Sequence, residues 1–116
     1  SVSERTRAVA GNAPDGSPGP IAMPLLLIRH RVADYRSWKA AFDEHGIARR
    51  ANGSRGGRLV RDAADPSTVL VLLDWDDLDR ARLFADSDDL REAMTRSGVT
   101  GEPDIWFLED VDHPIA

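Results

Sequence analysis

From residue 24 onward, apolar residues change their period along the chain in a regular order. Residues 25–32 start as an apolar run and then carry Arg29, His30 and Arg31, a strand candidate. Asp34 is placed to cap a helix, its carboxylate accepting the free N–H groups of the first turn. That helix sets Tyr35, Trp38, Phe42, His45 and Arg49 along one side at spacings of three and four, and Asn52-Gly53 supplies its stop. Gly46 lowers helix propensity inside it and marks a break or kink. A short strand over 58–63, the turn Ala64-Asp65-Pro66-Ser67 and a strongly apolar strand over 68–75 read as a hairpin. Asp76 or Asp77 then caps a helix over 78–85, Ser87 caps another over 88–97, and Gly98 ends it. After Gly101-Glu102-Pro103 comes a last strand over 105–111.

The order β-α-β-β-α-β, with its second helical stretch in two pieces, predicts an α+β fold of the ferredoxin-like kind. Its features are one four-stranded antiparallel sheet with helices on a single face. A sheet covered on one face alternates apolar and polar residues. Here Val69-Leu70-Val71-Leu72-Leu73, Leu25-Leu26-Leu27-Ile28 and Ile105-Trp106-Phe107-Leu108 are apolar on both. Three strands thus ask for a second cover that the chain's own helices cannot supply. Two sheets packed face to face in a homodimer would supply it, since soluble monomers rarely leave so large an apolar patch bare.

Residues 1–22 hold three Pro, three Gly, three Ser and no aromatic residue, too little apolar surface to offset the entropy of ordering. They are expected to be a disordered tail ahead of a single domain over 23–116. Arg5 and Arg7 are followed by no apolar stretch of signal-peptide length, and no window is long enough to span a membrane, which predicts a cytoplasmic protein. With 116 residues one domain is the natural count. The absence of cysteine excludes disulfides, thiolate metal sites and cysteine nucleophiles. A net charge of −5 disfavours a nucleic-acid partner, which would need basic charge against phosphates. Fourteen of fifteen basic residues are Arg and fifteen of twenty acids are Asp, a skew expected of GC-rich coding.

Candidate chemistry is sparse. His45 shares a helix face with Trp38 and Phe42, where a histidine is either a general base facing an aromatic-lined pocket or a hydrogen-bonded residue at the core's margin. His30 shares its side of the first strand with Leu26, Ile28 and Val32, so it too faces inward, as a second proton carrier, an oxyanion donor or a structural residue. His113, beside Pro114, is expected in solvent. No metal is expected: the three histidines form no ligand spacing, and Asp74, Asp76, Asp77 and Asp79 lack the glycine and closing glutamate of a calcium loop. Those acids, like Asp88 and Asp89, suit helix starts, where they offset the helix dipole. Arg49, Arg50, Arg55, Arg58 and Arg61, interleaved with glycines that fit no phosphate-binding motif, form either a solvated loop or an anion site. Arg58 is the member placed to face a ligand. Trp38, Trp75 and Trp106 either wall a pocket for a flat aromatic compound or fill the core and interface.

The run Arg29-His30-Arg31-Val32-Ala33-Asp34-Tyr35-Arg36-Ser37-Trp38-Lys39 resembles the start of small proteins of the dimeric α+β barrel superfamily. These are relatives of the antibiotic biosynthesis monooxygenases, some of them labelled cyclases. Phe42-Asp43-Glu44-His45, Gly53-Ser54-Arg55-Gly56-Gly57-Arg58, Leu73-Asp74-Trp75-Asp76-Asp77 and Phe84-Ala85-Asp86-Ser87-Asp88-Asp89-Leu90 continue the likeness over nearly all of 24–112. The resemblance implies a dimeric barrel. It leaves the activity open among cofactor-free oxygenases, polyketide cyclases, haem-degrading enzymes and proteins of no assigned role. The asparagine–tryptophan–histidine trio of the haem-degrading members has no counterpart, Asn52 being the single asparagine of the folded part and lying at a helix end.

Two functions follow. One is an enzyme without metal or bound cofactor, a monooxygenase or cyclase acting on an aromatic or polyketide-type compound. It would remove a proton and hold the resulting enolate or phenolate. His45 or His30 is cast as base and Arg58 as anion stabiliser, with Trp38, Phe42, Trp75 and Trp106 binding substrate. The other is a non-catalytic dimeric barrel that binds a small apolar ligand or serves as a stress-related accessory protein. A third, haem held by His45 or His30, predicts a Soret shift on adding haemin.

Overall fold

The computed structural model describes residues 24–116; the expected tail over 1–22 lies outside them. Strand β1 (Pro24–Val32) leads through the capping residue Asp34 into α1 (Tyr35–Glu44) and α2 (Gly46–Asn52). Then come β2 (Ser54–Arg61), β3 (Thr68–Trp75), α3 (Leu78–Ala85), α4 (Asp88–Ser97) and β4 (Val99–Glu109). The sheet order is β2-β3-β1-β4 with every neighbouring pair antiparallel, the ferredoxin-like arrangement.

Local chemistry sets the boundaries. Asp34, Asp77 and Ser87 each accept a backbone N–H from three residues on, which satisfies one orphan donor of each helix start. The break foreseen at Gly46 falls at His45, which closes α1 and opens α2. Gly53 (φ +123°) ends α2 in a conformation closed to most side chains, and a Cβ there would lie 2.5 Å from Asp76 Oδ1. Two elements differ from the sequence expectation. β2 begins at Ser54 rather than 58, and β4 at Val99 rather than 105. Both are edge strands, where irregular pairing is tolerated. The register of β2 slips between Ser54 and Gly56, and that of β4 shifts opposite Arg29 and Arg31, so Gly56-Gly57 and Gly101-Glu102-Pro103 extend strands instead of forming loops.

Alternation divides the sheet. Leu26, Ile28, His30 and Val32 of β1 and Val69, Val71, Leu73 and Trp75 of β3 are buried beneath the helices with Trp38, Phe84 and Leu90. The other face carries Leu25 and Leu27 paired with Leu108 and Trp106 of β4, and Leu70 and Leu72 paired with Val60 and Arg58 of β2. The four leucines of β1 and β3 are half-buried, while Val60, Trp106 and Leu108 are exposed. No helix among the described residues covers this surface or is long and apolar enough to cross a membrane.

Candidate active site

A small cavity of about 40 Å3 lies between the sheet and the helices. β1 supplies its floor through Ile28 and His30, β3 through Val71 and Leu73; α1 gives Trp38 and Phe42, and α4 gives Leu90, Ala93 and Met94. The i, i+4, i+7, i+11 spacing of Trp38, Phe42, His45 and Arg49 brings all four to this one space, across the junction of α1 and α2.

His30 is buried and neither ring nitrogen has a hydrogen-bond partner. Its ring meets Trp38 edge-on, centroids 5.4 Å apart. Removal from water disfavours the charged imidazolium and lowers its pKa from 6.5 to about 4, so His30 is neutral at pH 7. It therefore offers one donor and one acceptor to whatever enters the cavity. His45 differs in surroundings. Its ring packs 6.0 Å from that of Phe84, and its Nε2 lies 2.7 Å from Asp89 Oδ2 in the first turn of α4. The imidazole is nearly buried (9% exposed) while the carboxylate reaches solvent (59%). A carboxylate acceptor favours the tautomer with the proton on Nε2, leaving the Nδ1 lone pair as the basic site. Trp38 stacks on Phe42 at 5.0 Å, and the Arg49 guanidinium lies 3.5 Å from the centre of the Phe42 ring. Burial lowers the Arg49 pKa, an effect opposed by Asp43.

The structure thus brings together His30, His45, Trp38 and Phe42 of the expected site residues. Arg58 is not among those lining this cavity. It pairs with Leu72 on the opposite face of the sheet and borders a separate groove of about 440 Å3 at the β2 edge. Arg49 is the cation beside the histidines. Trp75 is buried on the inner face at the far end of β3, its ring tilted 42° against that of the cavity-lining Phe84, and does not itself line the cavity. Trp106 sits on the uncovered face opposite Leu27, beneath Arg29, because β4 turns its neighbours Ile105 and Phe107 inward. His113 is exposed beside Asp110. Among the described residues no three His, Asp or Glu side chains gather as metal ligands would. Asp89 was read from the sequence as a helix-start residue; its contact with His45 joins positions 44 residues apart, which local patterning does not reveal.

Strand order, antiparallel pairing and helices on one face are shared with solved structures described as antibiotic biosynthesis monooxygenases. A candidate antibiotic biosynthesis monooxygenase of Caulobacter crescentus superposes with a TM-score of 0.62 at 19% identity, over 79% of this chain and 92% of that one. One from Bordetella bronchiseptica gives 0.61 at 21% identity, over 78% and 99%. SnoaB, a cofactor-independent oxygenase from Streptomyces nogalater, gives 0.57 at 16% identity, over 78% and 97%. At these identities the likeness is one of fold. No protein-family model matches the sequence, and no curated protein does.

Proposed function

We propose that this protein is a cytoplasmic, homodimeric small-molecule enzyme of the cofactor-free oxygenase or cyclase kind, acting on an aromatic or polyketide-type compound in the cavity between sheet and helices. The observation that carries the reading is the His45–Asp89 pair beside an aromatic-lined cavity, in a fold shared with a cofactor-independent oxygenase. His45 takes an acidic C–H or O–H proton onto Nδ1, and Asp89 steadies the imidazolium that forms. Neutral His30 donates to the oxygen that gathers negative charge, and Arg49 places a cation near it. In oxygenation, the carbanion reacts with dioxygen. One oxygen atom becomes the carbonyl of the attacked CH2 carbon, and the other leaves as water with that carbon's two hydrogens. In cyclisation, the same anion attacks a carbonyl of its own chain.

The uncovered sheet face supports the homodimer: apolar residues of all four strands line it, a surface that water would otherwise wet. Sedimentation at micromolar concentration is expected to give the mass of two chains, and Leu27→Asp with Leu72→Asp to halve it. A folded wild-type monomer would refute the pairing.

A non-catalytic binding protein is the second reading, favoured by how small and apolar the cavity is as it stands. Oxygen uptake separates the two. The assay uses polyphenols and aromatic ketones with an acidic CH2 group, in chelator-treated buffer without flavin or nicotinamide. The enzyme reading expects uptake or ring closure. Compounds that raise the melting temperature, as ligands of the folded state must, yet remain chemically unchanged would establish the binding protein instead.

A further inference from the structure

The small cavity and the larger groove at the β2 edge share three lining residues, Phe42, Arg49 and Leu73. Where they meet, the guanidinium of Arg49 lies over the Phe42 ring. The cavity holds room for a few water molecules and none for an aromatic ring, whereas the groove has the volume of an ordinary small-molecule site. Arg49 is the cheapest part of the shared wall to open, because a long side chain on a helix surface can swing aside without moving the backbone.

The two spaces differ in chemistry. At the inner end, the two unpartnered nitrogens of His30 suit a hydroxyl group, which both donates and accepts. A carboxylate, charged before it enters, would lose its hydration on passing the largely apolar lining, whereas a hydroxyl enters neutral. At the outer end Arg49, Arg50 and Arg58 border the groove with Gly56 and Gly57. The acid on its border, Asp43, is tied to Lys39 at 2.6 Å. Arg50 has no carboxylate partner among the described residues.

We propose that cavity and groove are two compartments of one site, divided by the Phe42–Arg49 contact, and that its ligand is a hydroxylated aromatic acid. The hydroxyl-bearing ring enters against His30, and the carboxylate stays outside, held by Arg50. This rests on the reading above, that the cavity receives an aromatic molecule, and adds to it the ligand's charge, its orientation and the residue that holds its acidic end.

Binding of three probes to the full chain tests it by calorimetry: 6-hydroxy-2-naphthoate, its methyl ester, and 2-naphthoate, which lacks the hydroxyl. Wild type should bind the hydroxy acid about tenfold or more tighter than the ester, the effect of one charge-assisted contact. It should also bind the hydroxy acid tighter than 2-naphthoate. Arg50→Gln, at an exposed position, should abolish the preference for acid over ester while leaving ester affinity within twofold. Equal affinity for acid and ester in wild type, or a preference that survives Arg50→Gln, would overturn the two-compartment site. If the acid and ester bind equally and His30→Leu weakens both, the aromatic cavity stands and the proposal alone falls. If none of the three binds at millimolar concentration, both fall.

Discussion

Replacing His45 by glutamine is expected to lower kcat by about 10²- to 10⁴-fold on any compound the protein turns over, the usual contribution of a positioned general base. Glutamine is close to histidine in size and can still hydrogen-bond Asp89, so the contact between the α1–α2 junction and the start of α4 is retained. What disappears is the lone pair on which the proposed base role depends. Asp89→Asn should act in the same direction by a smaller factor. The amide oxygen can accept from Nε2 but brings no negative charge to balance the imidazolium, and this carboxylate is half in water, where charge interactions are weakened. Circular dichroism and the melting temperature of both variants should stay near wild type. A His45→Gln protein with kcat within twofold of wild type would remove His45 from the base role.

Acid should destabilise the protein through His30. Its pKa is about 4 in the folded chain against an ordinary 6.5, and desolvation is the cause. Between those values the unfolded chain binds a proton that the folded chain refuses. Stability is therefore complete above pH 6.5 and lost progressively as the pH falls toward 4, a swing of roughly 3 kcal/mol. Asp34 and Asp65 are held below the ordinary carboxylate range, Asp34 by the N–H of Ser37 and Asp65 by the hydroxyl of Thr68. Their contributions are present above the ordinary carboxylate pKa and also fall away on acidification, so wild type alone does not isolate His30. His30→Leu does. The variant should match or exceed wild-type stability at pH 7.5, because two unpartnered buried nitrogens are gone. By pH 4.5 wild type should have lost roughly 2–3 kcal/mol more than the variant in urea unfolding. Parallel losses would mean that His30 is solvated and protonates freely.

The sequence was most legible where one physical signal dominated. The central strands β1 and β3 each contain an apolar run, Leu25–Ile28 and Val69–Leu73, and the helix starts carry Asp34, Asp77 and Ser87, whose side chains bond the expected backbone donors. The edges were less legible because edge strands tolerate glycine and proline, so residues that read as punctuation lie within β2 and β4. The site divided in the same way. Helical spacing brought Trp38, Phe42, His45 and Arg49 to one face, and strand alternation set His30 inward. Alternation was silent for Trp106, since Ile105-Trp106-Phe107-Leu108 is apolar on both sides and carries no sign of which residues face the helices. Arg58 was assigned to the ligand by its position just inside a strand. Its register partner Leu72, set by the slip in β2, puts it on the other face. Asp89 could be found only through the packing of α4 against α1, a long-range contact.

Histidine-labelled NMR tests the proposed site most directly, because the chain has three histidines in three different settings. His30 is sealed in the cavity wall, His45 borders the cavity beside Asp89, and His113 stands in solvent at the end of the chain. On titration with 6-hydroxy-2-naphthoate, the imidazole signals of His30 and His45, assigned with His30→Leu and His45→Gln, should move together and saturate, while that of His113 stays still. Saturable binding that leaves the His30 and His45 signals unmoved would put the ligand elsewhere and end the case for chemistry between the helices and the sheet.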